Sequence, residues 1–311
     1  MVRYLVTGGG GFIGSHLVRA LLKKGGEVRV FDNFATGKRE NLEGLSVELY
    51  EGDLRDGDAL EKAVKGVECV FHQGALPSVA RSIEDPFTSH SVNATGTLLL
   101  LQACLRAGVR RVVYASSSSI YGDTPALPKH EEMFPSPLSP YAASKLTGEY
   151  YCQVFWKVHG LETVCLRYFN VFGPRQDPAS PYAAVIPRFI SAALDGGRPT
   201  VFGDGTQSRD FTYVDNAVEA NLLAASVPQA AGEVMNVACG ERISLLDLVR
   251  ALGEIIGREI VPVFAKPRPG DIKHSEAAIN KAGVVLGYHP RIKFREGLQR
   301  TVAWFTAHLR T

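Results

Sequence analysis

TGGGGFIGSH, residues Thr7 to His16, is the stretch that decides the fold. It follows an apolar run, Arg3–Thr7 (RYLVT), and leads into helical spacing from near Phe12. Gly8, Gly11 and Gly14 fall into a G-x-x-G-x-x-G pattern. Glycines let the backbone turn tightly and approach a pyrophosphate, which sits on the free N–H groups and positive end of the following helix. Such loops also occur at ordinary strand–helix turns, so the next strand decides between the two. That strand, EVRVFD, ends in Asp32, 18 residues beyond Gly14. A carboxylate there accepts bonds from an adenosine ribose, whereas an arginine would suit a 2′-phosphate. The pair predicts a dinucleotide site with NAD preferred over NADP.

Outward from that unit, RYLVT, EVRVFD, VELYEGD, ECVFHQG, RVVYAS and ETVCLRY read as strands separated by segments long enough for crossover helices. This alternation predicts an α/β fold with a Rossmann-type, doubly wound parallel sheet. From about Phe169 the rhythm loosens, and glycines and prolines gather in Gly173–Pro187 and Gly196–Gly205. The expected organisation is an NAD-binding domain over residues 1–168 and a smaller, discontinuous substrate domain over 169–311. Segments near 211–237 are expected to return to the first domain. At 311 residues, 45% apolar and 21% charged, with a net charge of +2, the chain reads as globular and carries no marked nucleic-acid or membrane-binding surface. The five cysteines are scattered and lack metal-ligand spacing, so buried reduced thiols in a cytoplasmic protein are expected, with no metal. His72 reads as a packed histidine and Asp53 as a helix N-cap or a cofactor contact.

The strand RVVYAS runs into SSSSIYG, so Ser116–Ser119 lie beyond a strand's carboxyl end, where ligands bind in such sheets. Some twenty residues later comes SPYAASK, in which Pro140 can open a helix carrying Tyr141 and Lys145. Four-residue spacing sets both on one helix face. Moving a phenol from about 10 to near 7 takes roughly 4 kcal/mol, within reach of a close ammonium and a cationic nicotinamide ring. A nearby serine would complete a proton relay.

The combination T-G-G-x-G-F-I-G, Asp after the second strand, Ser-Ser-Ser-x-x-Y-G and Y-x-x-x-K resembles the extended short-chain dehydrogenase/reductase superfamily. LRYFNVFGPRQDP, GDGTQSRDFTYVDN and RPGDIKHS extend the likeness over nearly the whole chain, which is most similar to the UDP-hexose 4-epimerases, in particular those acting on N-acetylhexosamines. The resemblance implies a bound NAD that is not consumed. Tyr141, helped by Ser117, would take the sugar 4-hydroxyl proton while C4 gives up hydride; the 4-keto sugar then turns about its diphosphate and is reduced on the opposite face. Lys145 would hold the nicotinamide ribose and lower the phenol pKa. Cofactor contacts implied by the family fall on Gly8, Gly11, Phe12, Ile13, Gly14, Asp32, Asn33, Asp53, Leu54, Gln73, Gly74, Ala75, Asn93, Tyr141, Lys145 and Tyr168. Substrate contacts fall on Ser78, Ser117, Ser118, Tyr141, Asn170, Gln176, Ala184, Val185, Phe189, Arg209, Arg268, Asp271 and Ser275. Among these, Ala184, Val185 and Phe189 would pack around the uracil, and Arg209 and Arg268 would grip the diphosphate. Asp271 would bind a uridine ribose hydroxyl.

Departures from the family pattern narrow the choice. Gly10 and Gly74 stand where alanine is usual, and Pro77 where glucose-type epimerases often carry lysine. Ser118 and Ser119 occupy the places of the Asp-Glu pair of 4,6-dehydratases, and UDP-glucuronate decarboxylases typically have glutamate at the Ser119 place. Ser275 is small where epimerases confined to glucose and galactose often have tyrosine, which implies room for an acetamido group. A UDP-glucuronate 4-epimerase, a decarboxylase and a non-catalytic NAD-binding regulator remain as alternatives. The family commonly dimerises through the Tyr-containing helix and Phe87–Ala107, so a homodimer is expected, although TLLLLQACL suits a core equally well.

Overall fold

The computed structural model describes residues 2–179, 184–267 and 272–308. Six strands follow one another in the first half: β1 (Arg3–Thr7), β2 (Glu27–Asp32), β3 (Glu48–Glu51), β4 (Cys69–His72), β5 (Arg111–Ser117) and β6 (Glu162–Tyr168). A seventh strand, Val234–Val237, pairs with Cys165–Tyr168 of β6. The order across the sheet is Val234–Val237, β6, β5, β4, β1, β2, β3, and every pairing is parallel. Strand order reverses between β1 and β4, the crevice where open α/β sheets bind ligands.

The apolar runs are continuous because both faces of the sheet are covered. Val6, Val30, Phe71, Val113 and Val164 point to one side, against the helices Phe12–Lys23 and Val214–Ser226. Leu5, Phe31, Val70, Val112 and Cys165 point to the other, against Gly57–Val64, Gly96–Ala107 and Pro140–His159. Neighbours in sequence thus serve opposite cores, as the two-residue period of a strand dictates.

Local signals set the helix ends. Asp56, not Asp53, caps Gly57–Val64 by accepting from the Ala59 N–H. Ser139 accepts from the Ala142 N–H at 3.1 Å, with Pro140 at the first helical position, and Gly160 closes that helix at φ +71°. The stretch TLLLLQACL goes mainly to the core, with Leu100, Leu101, Ala103 and Cys104 buried.

The second half adds short strand pairs and the helices Val185–Leu194, Leu245–Ile256 and Phe294–His308, whose apolar faces extend one of the sheet's two cores. All five cysteines are buried and unpaired. Among the described residues no helix is long and apolar enough to cross a membrane.

Candidate active site

A cleft of about 1160 Å³ runs along the carboxyl ends of β1, β2, β4, β5 and β6. That exceeds the 300–1,000 Å³ typical of a single small-molecule pocket and leaves room for two ligands in line.

One wall is built from strand-end turns. Gly8 has φ +67°, and a Cβ there would lie 2.7 Å from the Gly74 nitrogen; at Gly14 a Cβ would lie 2.1 Å from the Gly8 oxygen. Only glycine lets the turn after β1 lie against both the turn after β4 and its own helix. Gly11, Phe12 and Ile13 line the cleft beside them. Asp32 is buried; its carboxylate accepts from the Gly10 and Phe34 N–H groups, both at 2.8 Å. Burial raises its pKa against those bonds, and its remaining lone pairs face the cleft for a ribose. Gly10 replaces the usual alanine because the Phe34 ring fills the space: a Cβ would lie 2.7 Å from it. Asn33 donates to Asp53 at 3.0 Å, and Arg55 grips the same carboxylate, holding it down at about 2. Leu54, Gly74 and Ala75 line the cleft. Gln73 donates to the Tyr168 hydroxyl and to Asn221, both at 3.1 Å.

Asn93 is placed differently from expectation. It is buried behind the wall, accepting from the Leu76 N–H and donating to Leu76 O and Ser144. Its amide ties the Leu76 backbone to Ser144 on the helix Pro140–His159, so it positions the cofactor turn from behind. His72 lies beneath the same turn. Gly74 N–H donates to Thr7 Oγ1, which faces His72 Nδ1 at 2.7 Å, while His72 Nε2 faces Thr97 Oγ1 at 2.9 Å. Thr97 itself donates to Asn93 O, so it accepts from Nε2–H, and Nδ1 accepts from Thr7. Burial first, and then Lys145, push this imidazole down to about 3, so it is neutral.

At the junction of the two walls stand Ser117 at the end of β5 and Tyr141 and Lys145 on the helix Pro140–His159. Ser117 Oγ accepts both the N–H (3.2 Å) and the hydroxyl (2.9 Å) of Ser119. With both lone pairs engaged, its O–H is left to serve the neighbouring Tyr141 phenol. Burial raises the phenol pKa and outweighs the lowering that hydrogen bonding with Ser117 brings, so the net shift is upward. Lys145 Nζ donates to Ala115 O at 2.8 Å and lies over the Tyr114 ring; burial lowers it to about 8. The expected direct lowering of the phenol by the ammonium is therefore not how the protein's own groups act. Ser117 is the group that lowers the phenol, while Lys145 gives one of its three N–H donors to the β5 backbone.

The other wall consists of long loops. Ser78 caps the helix Val79–Glu84, accepting from the Arg81 N–H, and Ser118 opens the short turn after β5; both line the cleft. Asn170, at φ +37°, donates to Asp210 O at 3.0 Å. Gln176 donates to Val171 O, while its Oε1 is buried without a partner among the described residues. Arg209 and Ala184 line the cleft. Phe189 does not: it is turned into the hydrophobic core, and Val185 packs against that core, so of the three residues expected around the uracil Ala184 lines the cleft. Arg268 and Asp271 lie outside the described residues. Ser275 is buried at the wall; its N–H donates to Ser208 O, and no local capping bond engages its hydroxyl.

Asp210, which no sequence signal singled out, joins these loops. Its carboxylate accepts from Cys239 and Gly240 N–H, both at 3.0 Å, and from Ala277 N–H at 3.2 Å. Burial pushes it up to about 6 despite those bonds.

Residues 4–238 match the profile of the NAD dependent epimerase/dehydratase family. The UDP-glucose 4-epimerase of Thermotoga maritima, solved with UDP-glucose, superposes with a TM-score of 0.96 at 38% identity, covering 99% of this chain and 100% of that one. The UDP-N-acetylglucosamine 4-epimerase of Methanobrevibacter ruminantium, in complex with UDP-N-acetylmuramic acid, gives 0.94 at 42% identity over 98% of each chain. The UDP-glucuronic acid 4-epimerase of Bacillus cereus, holding UDP-glucuronic acid and NAD, gives 0.92 at 35% identity over 98% of this chain and 99% of that one. The glycine turn with its buried aspartate, and these end-to-end likenesses, lead to one conclusion: the chain belongs to the NAD dependent epimerase/dehydratase family, among its UDP-sugar 4-epimerases, and NAD is its cofactor.

Proposed function

We propose that the protein interconverts the C4 epimers of UDP-hexoses, taking the UDP-N-acetylglucosamine/UDP-N-acetylgalactosamine pair and the UDP-glucose/UDP-galactose pair. The observation that carries this reading is the junction itself: Ser117, Tyr141 and Lys145, the last two one helical turn apart, line one end of a cleft sized for two ligands, and Ser117 lowers the phenol pKa against burial. Tyr141 takes the proton from the sugar 4-hydroxyl as C4 loses hydride, and returns it when C4 regains hydride on the other face. Ser117 steadies the phenolate that forms. NAD, when bound, supplies the two-electron acceptor that makes the exchange redox-neutral overall. Lys145 fixes the end of β5 through Ala115 O, and with its remaining N–H donors it would hold the nicotinamide ribose.

Ser275 supports the acetamido pair, since it offers a small side chain at the wall. Ser118 and Ser119 line the cleft without a carboxylate, which disfavours elimination and decarboxylation chemistry. A homodimer fits an apolar stripe on the Tyr141 helix: Tyr150, Val154 and Val158 are exposed, and Phe87 beside it is 87% exposed. In the deciding assay the protein is incubated separately with UDP-glucose, UDP-N-acetylglucosamine and UDP-glucuronate, and the C4 epimers are separated. Turnover of the first two supports this reading, exclusive turnover of the third makes it a glucuronate epimerase, and bound nicotinamide without any turnover makes it a regulator.

A further inference from the structure

Tyr141, Lys145 and Glu149 recur every four residues on one face of a helix, but only the first two face the cleft. Glu149 is fully buried beneath them. Its Oε2 accepts from Ser116 Oγ at 2.7 Å and from Arg167 Nε at 3.1 Å; its Oε1 accepts from Arg167 Nη2 at 2.5 Å. Arg167, on β6, also donates to the Tyr121 hydroxyl at 2.8 Å, and Tyr121 donates to Asn236 on the outer strand at 2.7 Å. Ser116 precedes Ser117, and Tyr121 ends the turn that follows it. The serine of the relay is thus pinned on both sides by one buried ion pair. A buried pair is a poor source of stability, because desolvating two charges offsets most of their attraction. What it supplies is fixed geometry, since each of its bonds has one direction.

Resting on the relay reading above, we propose that Glu149 is a positioning residue of this enzyme. Through Ser116 and Arg167 it sets the β5 turn so that the Ser117 hydroxyl meets the Tyr141 oxygen. A displacement of about 1 Å at a reacting group can cost up to about a hundredfold in rate. At Glu149 the loss would be one of proton transfer rather than of binding, since neither Glu149 nor Arg167 lines the cleft; Ser116 does line it, so for that residue the split between kcat and KM makes the distinction. The charged and titratable groups around the relay are Lys145 and Cys152 on the same helix, Tyr114 on β5, His72 on β4 and Arg167 on β6. Of these, Tyr114 is held well up by burial, His72 is neutral and Lys145 is lowered to about 8; the influence on the phenol that Ser116 and Glu149 reach is that of Ser117.

The test compares full-length, NAD-loaded wild type with Ser116→Ala, Ser116→Thr, Glu149→Gln and Tyr141→Phe, measuring kcat and KM against pH for the epimerised UDP-sugar. Ser116→Ala and Glu149→Gln are expected to lose about ten- to a hundredfold in kcat while KM changes by less than about twofold. The rising limb of their kcat–pH profiles moves to higher pH, because the bond that lowers the phenol is weakened, and Ser116→Thr restores both. Ser116→Ala leaves the ion pair intact, so it decides the matter even where Glu149→Gln fails to fold. A lower Tm with an unmoved pH profile, or a wild-type kcat in Ser116→Ala, overturns the proposal. If Tyr141→Phe turns over normally, it is the relay reading that fails; if Tyr141→Phe is inactive and Ser116→Ala normal, only the role of Glu149 does.

Discussion

The two walls of the cleft are held by opposite means. The cofactor wall consists of short turns at strand ends, and beneath it lies a neutral imidazole, His72, in a directional chain from Gly74 N–H to Asn93 O. The sugar wall consists of loops from distant parts of the chain, and beneath it lies a buried carboxyl, Asp210, that collects N–H groups from residues 239, 240 and 277. Burial lowers the first group to about 3 and raises the second to about 6. Both shifts favour the neutral form, and they give the walls opposite responses to pH. A wall carried by the sheet tolerates loss of one bond better than a wall stitched by one side chain.

The largest effect is expected where the walls meet. Tyr141→Phe should lower turnover about 10²–10⁴-fold, the usual contribution of an acid–base group, while both walls keep their ligands. Steady-state rates and the absorbance of retained nicotinamide check it, and near-normal turnover would remove Tyr141 from the chemistry. The next is the acid response of the cofactor wall. As pH falls from about 6.5 towards 3, the unfolded chain gains a proton at His72 that the folded chain refuses, so stability is lost by about 3 kcal/mol between pH 7 and 4. Urea unfolding of His72→Gln should show a flatter acid limb; equal limbs would mean that His72 titrates freely.

Asp210 should act with the reverse sign. The folded chain keeps its proton up to about pH 6, while the unfolded chain ionises near 3.8, so its contribution is full below 3.8 and falls as pH rises to 6, by roughly 2–3 kcal/mol. Asp210→Asn removes that slope and, by loosening the loops, raises KM for the UDP-sugar while leaving NAD binding unchanged. A variant that releases NAD as readily as sugar would erase the distinction between the walls. The smallest change expected is one of specificity. Ser275→Tyr overpacks the sugar wall by about 1–3 kcal/mol, five- to 150-fold in kcat/KM against the acetamido substrates, and spares UDP-glucose. If both sugar classes suffer alike, the gate lies elsewhere.

The sequence by itself determined the strand-end chemistry. Glycine spacing in TGGGGFIGSH, Asp32 at the end of β2 and the four-residue interval from Tyr141 to Lys145 are local patterns, and a sheet translates local pattern into position with little freedom. The strand Val234–Val237 was harder to read, because four residues with a buried Asn236 carry neither a long apolar run nor a clean alternation. Only the tertiary structure decided that Phe189 turns to the core, that Asn93 and His72 brace the cofactor turn from behind, that Lys145 also holds Ala115 O, and that Glu149 and Asp210 are the buried nodes beneath the site. The reason is physical: what a buried carboxylate or amide does is set by the donors that folding brings within about 3 Å of it, and for Asp210 those donors come from as far as 67 residues away in the chain.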